Sequence, residues 1–363
     1  MASSPRPTLS TPLTTLLKIP HPILLAGMAH TSTTPLASAV SLAGGLGVIG
    51  GLGYNPSQLR SMIHDLKASF PTSKPQLPFG VDLALPSLAP TARKTNHDYT
   101  HGQLDALIDV IIEEGTTLFV SAVGVPERNI IERLHNGGVL VMNMVGHPKH
   151  AIKAFDAGVD IVCAQGGEGG GHTGEISGNI LVPACVDIAR RYKPSMLGGG
   201  PGMVVAAGGI FDGRGLAAAL MMGAVGVWVG TRFVACEEAG CSEAHKRAVV
   251  EASWGDTMRT LVVTGRPLRV RRNQYLEGWE REERRGELRA LLEKGVRPLE
   301  RDLAAEAVED GDVEVEFPFL MGEVAAMIGD VRPAKGIVED MVREASECLE
   351  IGGLFVKGGG SKL

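Results

Sequence analysis

Eight short apolar runs recur through the first two-thirds of the chain with helical segments between them. No other feature constrains the fold as strongly. The runs occupy 23–26, 46–49, 79–83, 118–123, 139–145, 160–164, 204–207 and 225–229. Most are continuous rather than alternating, the pattern of strands buried on both faces. Most also run into glycine or a polar residue at the C-terminal end. Segments 35–43, 55–66, 103–114, 126–134, 149–157, 182–192 and 213–222 carry spaced apolar residues and charged faces, which predicts helices. Eight strands alternating with helices predict an α/β fold, a (β/α)8 TIM barrel. The rival is a doubly wound open sheet. It would place G-x-G-x-x-G after its first strand, and Ala26-Gly27-Met28-Ala29-His30 is not that fingerprint.

The barrel is expected over 1–235, with 236–363 as a mostly helical C-terminal extension packed on it and ending in a flexible tail. Segment 242–252 reads as a helix, 275–302 as a charged, solvated, helix-rich stretch, and 323–351 as one or two closing helices. Segment 82–102 is longer than a usual strand-to-helix loop and reads as a lid over the barrel mouth.

Composition limits the function. With 363 residues, 44% apolar, and a net charge of −6, the chain has ample core and no electrostatic case for nucleic acid. No apolar run reaches the length of a membrane span, and 1–15 lacks a secretory or mitochondrial signal pattern. Five scattered cysteines, with no C-x-x-C pair, fit a reducing interior. No histidine pair has metal-site spacing, so no metal is expected. The chain ends Ser361-Lys362-Leu363 after a glycine tether, the pattern read by the peroxisomal import receptor.

The densest chemical signal is 164–174, Ala-Gln-Gly-Gly-Glu-Gly-Gly-Gly-His-Thr-Gly, directly after the sixth apolar run. Six glycines sacrifice chain entropy, which makes sense where backbone must approach a flat ligand and present one side chain to it. That side chain is His172, the expected catalytic residue, with an ordinary pKa of roughly 6.5 suited to proton transfer. Glu168 either tunes His172 or is a loop-tip charge.

The seventh and eighth strand ends carry Gly208-Gly209 and Trp228-Val229-Gly230-Thr231. In this fold those two loops often grip a phosphate through backbone N–H groups. A phosphate there, with the His172 loop beside it, describes a bound mononucleotide, and FMN suits it. Gln165 is placed to hydrogen-bond the ring or ribityl chain, and Gly170 lies in the same loop. Gly27 and Met28 face the ring edge, although Met28 fits core packing as well. Asp82 reaches a polar cofactor edge or caps the following segment. His30 follows the first strand and is a candidate for the substrate pocket. Whether Arg93 or Lys94 touches ligand is open.

Together these motifs, with Ala43-Gly44-Gly45-Leu46-Gly47 and Asp212-Gly213-Arg214-Gly215, resemble the nitronate monooxygenases, formerly 2-nitropropane dioxygenases, over about 20–270. With the C-terminal tripeptide, the chain resembles a fungal-type peroxisomal member. The resemblance implies an FMN-binding barrel with His172 catalytic. It also implies cofactor contacts at Gln165, Gly170, Gly209 and 228–231. Departures are Asp82 where Asn is common, Gly169 for Ala, Thr173 for Arg, and Trp228 for a smaller residue. The implied activity is oxidation of alkyl nitronates or nitroalkanes by O2 to a carbonyl compound and nitrite. The alternatives are an FMN-dependent NAD(P)H reductase, of enoyl-ACP or quinone type, and a non-catalytic flavin-binding protein. Oligomeric state is not readable.

Overall fold

The computed structural model describes residues 8–74, 76–89, 91–306 and 317–356. In chain order its strands are β1 (Ile23–Leu25), β2 (Gly47–Gly50), β3 (Phe79–Ala84), β4 (Leu118–Ala122), β5 (Leu140–Val145), β6 (Ile161–Gln165), β7 (Gly171–His172), β8 (Met203–Ala207), β9 (Gly226–Val229), β10 (Thr257–Thr260) and β11 (Leu268–Arg271). Eight of them form one parallel sheet in the order β1-β9-β8-β6-β5-β4-β3-β2. Its ends meet where the Leu25 amide donates to Leu46 and the Leu46 amide donates to Ile23, each at 2.9 Å. The sheet is therefore a closed (β/α)8 barrel, which removes both edges.

The continuous apolar runs are explained by two cores on the two faces of one sheet. Leu118, Val120, Ile161, Cys163, Val205 and Trp228 point into the barrel, while Phe119, Val162, Val204, Val227 and Val229 pack under the helices. The N-terminal helix Pro12–Leu17 closes the bottom of the barrel with Leu13 and Leu17.

The segment after β9 holds more than helices. The long helix Ala334–Leu354 belongs to the barrel's outer ring, packed against the helices Gly213–Met221 and Thr34–Leu42. Gly213 permits that approach, because a Cβ there would lie 2.3 Å from Glu344 Cβ. Between β9 and this helix is an inserted unit with its own apolar cluster around Trp279, Leu276 and Val270. It contains the antiparallel pair β10–β11. These strands escape a sequence reading because they are only four residues long. In β11, Leu268 and Val270 are buried while Arg269 and Arg271 alternate with them.

The stretch expected as a lid, after β3, does not stand free over the mouth. It docks on the inserted unit: Arg93 donates to the Gly265 carbonyl at 3.3 Å, and Arg266 Nε donates to Asn96 Oδ1 at 3.0 Å.

Candidate active site

The predicted site residues all lie on or just beyond the C-terminal ends of the barrel strands. Gly27 and Met28 follow β1, Asp82 is in β3, Gln165 ends β6, Gly208 and Gly209 follow β8, and Trp228–Val229 lead into Gly230 and Thr231. β8 and β9 are adjacent, with Ala207 paired to Trp228, so the two glycine loops sit side by side.

The glycine-rich loop is tightly laced. Gln165 Nε2 donates to the Gly170 carbonyl at 3.1 Å and to the His172 carbonyl at 2.9 Å. The Gly166 amide donates to Ala207, and Thr173 Oγ1 donates to the Gly166 carbonyl at 2.8 Å. Its tip forms β7, which pairs antiparallel with β11 through Leu268↔His172 and Arg269↔Gly171. Gln165 thus spends its amide nitrogen on the loop and keeps its oxygen for other partners. Glu168 has neither sequence-expected role: both of its oxygens accept from the Gly178 amide, at 3.0 and 3.2 Å, at the start of helix Gly178–Ala189.

His172 Nε2 lies 3.0 Å from Thr264 Oγ1. Burial, and secondarily the Arg266 cation, push its pKa down to about 4. The imidazole is therefore neutral at physiological pH. Arg266 is half-buried and forms no ion pair among the described residues. Its remaining hydrogen bond runs from Nη1 to the Val123 carbonyl at 3.2 Å. Val123 sits at the end of β4 with φ 72, and the Gly124 amide donates across it to Ala122 at 2.9 Å. A β-branched residue in that region is strained by roughly 1–3 kcal/mol, a cost that typically persists at functional sites. Thr264 and Arg266 were invisible to sequence reasoning. They reach His172 from across the chain, with no local motif to mark them.

Asp82 is 6% exposed, and its Oδ1 is buried with no hydrogen-bond partner. Burial holds its carboxyl well above the usual range. A protonated carboxyl matches Asn in shape and can both donate and accept. Gly27 is required beside it, since a Cβ there would lie 2.3 Å from Asp82 Cβ. The Trp228 side chain points into the barrel and is buried, so only its backbone faces the glycine loops. Met28 packs among three apolar clusters, its sulfur 3.7 Å from where a Gly230 Cβ would be. The Thr231 hydroxyl accepts from the Gly322 amide at 3.0 Å, and the same backbone strap leaves no room for a Cβ at Gly170. His30 is exposed at the rim, with φ 56.

These features fit a flat phosphorylated cofactor. The Gly208 and Gly209 amides make no hydrogen bond within the described residues and have φ of 90 and 70. With the orphaned Asp82 carboxyl, they leave donors at the mouth for a ligand. No grouping of His, Cys, Asp or Glu among the described residues suits a metal.

Barrel and site together define a flavin-dependent oxidoreductase. The family model of nitronate monooxygenase matches residues 10–344, and the chain belongs to that family. Its cofactor is FMN. Among solved structures it is similar to FabK from Thermotoga maritima, at 35% identity and TM-score 0.76 over 96% of this chain and 100% of that one. It is also similar to nitroalkane oxidase from Streptomyces ansochromogenes, at 27% identity and TM-score 0.75 over 94% and 99%. Among curated proteins, an octahydro-indene-carboxyl-CoA dehydrogenase of Mycobacterium tuberculosis is 31% identical over 96% of this chain and 99% of its own length.

Proposed function

We propose that the protein oxidises alkyl nitronates with O2 to a carbonyl compound and nitrite. The observation that carries this reading is the neutral, enclosed His172 held by Thr264 beside the acid-free Arg266. Bound FMN supplies the acceptor for substrate electrons and the chemistry with O2. The chain's own residues bind and orient. A nitronate is an anion, and the guanidinium of Arg266 is the charge that attracts it. His172 hydrogen-bonds a nitronate oxygen as the neutral imidazole. Its low pKa leaves the protonated, anion-stabilising form essentially unpopulated at pH 7, so the positive charge comes from Arg266. The same low pKa makes it a weak acceptor for a carbon-bound proton. Preformed nitronates are therefore the better substrates and neutral nitroalkanes the poorer ones.

The test is oxygen uptake and nitrite release by the FMN-loaded protein, with preformed propyl-2-nitronate and with neutral 2-nitropropane. The reading expects kcat/KM for the nitronate to exceed that for the nitroalkane by about two orders of magnitude or more. No nitrite from either would end it. Likeness to FabK favours a second reading, an FMN-dependent NAD(P)H reductase, which the same assay separates by NAD(P)H consumption. A non-catalytic flavin carrier has no use for a buried imidazole braced from a distant loop. We further propose that Ser361-Lys362-Leu363, outside the described residues, directs the chain to peroxisomes as in a fungal-type member. Deleting it is expected to leave the protein cytosolic, and unchanged import would refute that role.

A further inference from the structure

A groove of ≈ 900 Å³ opens on the inserted unit beside the docked segment after β3. Its cations are Arg93, Lys94, Arg285 and Arg289, against the carboxylates of Glu280 and Glu293. Glu280 is occupied by the Thr260 hydroxyl at 2.6 Å. Arg93, Lys94 and Arg289 form no ion pair among the described residues, and Arg285 has only a long 3.6 Å contact to Glu282. A local excess of unpaired positive charge in a chain of net charge −6 is not a by-product of composition. Leu288 and Leu292 give the groove an apolar wall, on which a flat base can lie. Gly265, next in sequence to Thr264, is among the lining residues and is buried against Thr95. The volume of the groove is in the range of small-molecule sites.

We propose that this groove binds the adenosine pyrophosphate end of a nucleotide-linked molecule. Unpaired guanidinium and ammonium groups match a pyrophosphate, and the apolar wall matches adenine. Two sources share that chemistry: a nicotinamide dinucleotide reductant and a coenzyme A thioester. The inference stands on the groove and not on nitronate oxidation.

The experiment is calorimetric titration of the FMN-loaded protein with ADP, coenzyme A and NADPH at low and high salt. Wild type is expected to bind ADP, more weakly as salt rises. Arg289→Glu and the double variant Arg93→Ala with Lys94→Ala are each expected to weaken ADP at least tenfold. The flavin spectrum of each variant serves as its folding control. Coenzyme A binding tighter than NADPH assigns the groove to a thioester, and the reverse order assigns it to a reductant. No binding of any of the three at millimolar concentration overturns the proposal, as do variants that bind ADP like wild type. Nitrite release from a preformed nitronate is measured separately, so a failure here is distinct from a failure of that activity.

Discussion

The protonation of His172 makes a prediction whose sign and size follow from its surroundings. Its pKa falls from the free value of 6.5 to about 4 in the folded protein, chiefly through burial. In the unfolded chain the imidazole takes up a proton near pH 6.5, while the folded form resists until near pH 4. The group's contribution to stability is therefore intact above pH 6.5 and is lost as pH falls from 6.5 to about 4. At about 1.4 kcal/mol per unit, the whole shift is worth at most about 3 kcal/mol. The enclosed ring keeps a polar neighbour, the Thr264 hydroxyl at 3.0 Å, and relaxation around a protonated imidazole reduces this to about 1–2 kcal/mol. The comparison is urea unfolding of wild type and His172→Gln at pH 7.5 and pH 4.5, with flavin retained at both. The variant cannot titrate there but keeps a hydrogen-bonding amide near Thr264. Wild type is expected to lose about 1–2 kcal/mol more than the variant between the two pH values. Equal losses would refute the reasoning, as would an imidazole resonance that titrates near 6.5.

Three further perturbations test the surrounding structure. Gln165→Leu removes both donors to the glycine loop and leaves two carbonyls bare. It is expected to destabilise by about 2–4 kcal/mol in denaturant unfolding, and a loss below about 0.5 kcal/mol would show that the loop holds itself. Asp82 is raised above its unfolded value by burial, so its favourable state is present below the usual carboxylate pKa and erodes as pH climbs through the folded one. Asp82→Asn is accordingly expected to unfold at a higher temperature than wild type at pH 8, with the gap closing toward pH 4. A gap that widens on acidification would contradict a neutral Asp82. Arg266→Ala is expected to raise KM for an anionic nitronate by about tenfold or more, with a smaller effect on a neutral nitroalkane. Equal effects on both substrates would remove its role in charge recognition.

The barrel was legible because burial on both strand faces writes itself as continuous apolar runs, such as 204–207 between two cores. The glycine loop was legible as a loop because six glycines follow directly on an apolar strand, at 166, 167, 169, 170, 171 and 174. What the sequence concealed was long-range. The partner of His172 lies on a loop of the inserted unit, beside a strand in which arginines alternate with buried aliphatics. That alternation is a strand pattern, but at four residues it is too short to stand out, and nothing in 166–174 announces that it will pair with it. Glu168 misled for the same reason: its partner, the Gly178 amide, became visible only once the helix start was placed. That helix begins before the sequence-expected 182, with Pro183 inside it.

The central claim is that this flavoprotein takes its electrons from nitronates. The most direct measurement is anaerobic mixing of the purified FMN-bound protein with propyl-2-nitronate and, separately, with NADPH, following the blue flavin absorbance. The account predicts rapid bleaching by the nitronate, with colour, nitrite and acetone appearing when O2 is admitted. A spectrum untouched by nitronate but bleached by NADPH would contradict it and make the protein a reductase.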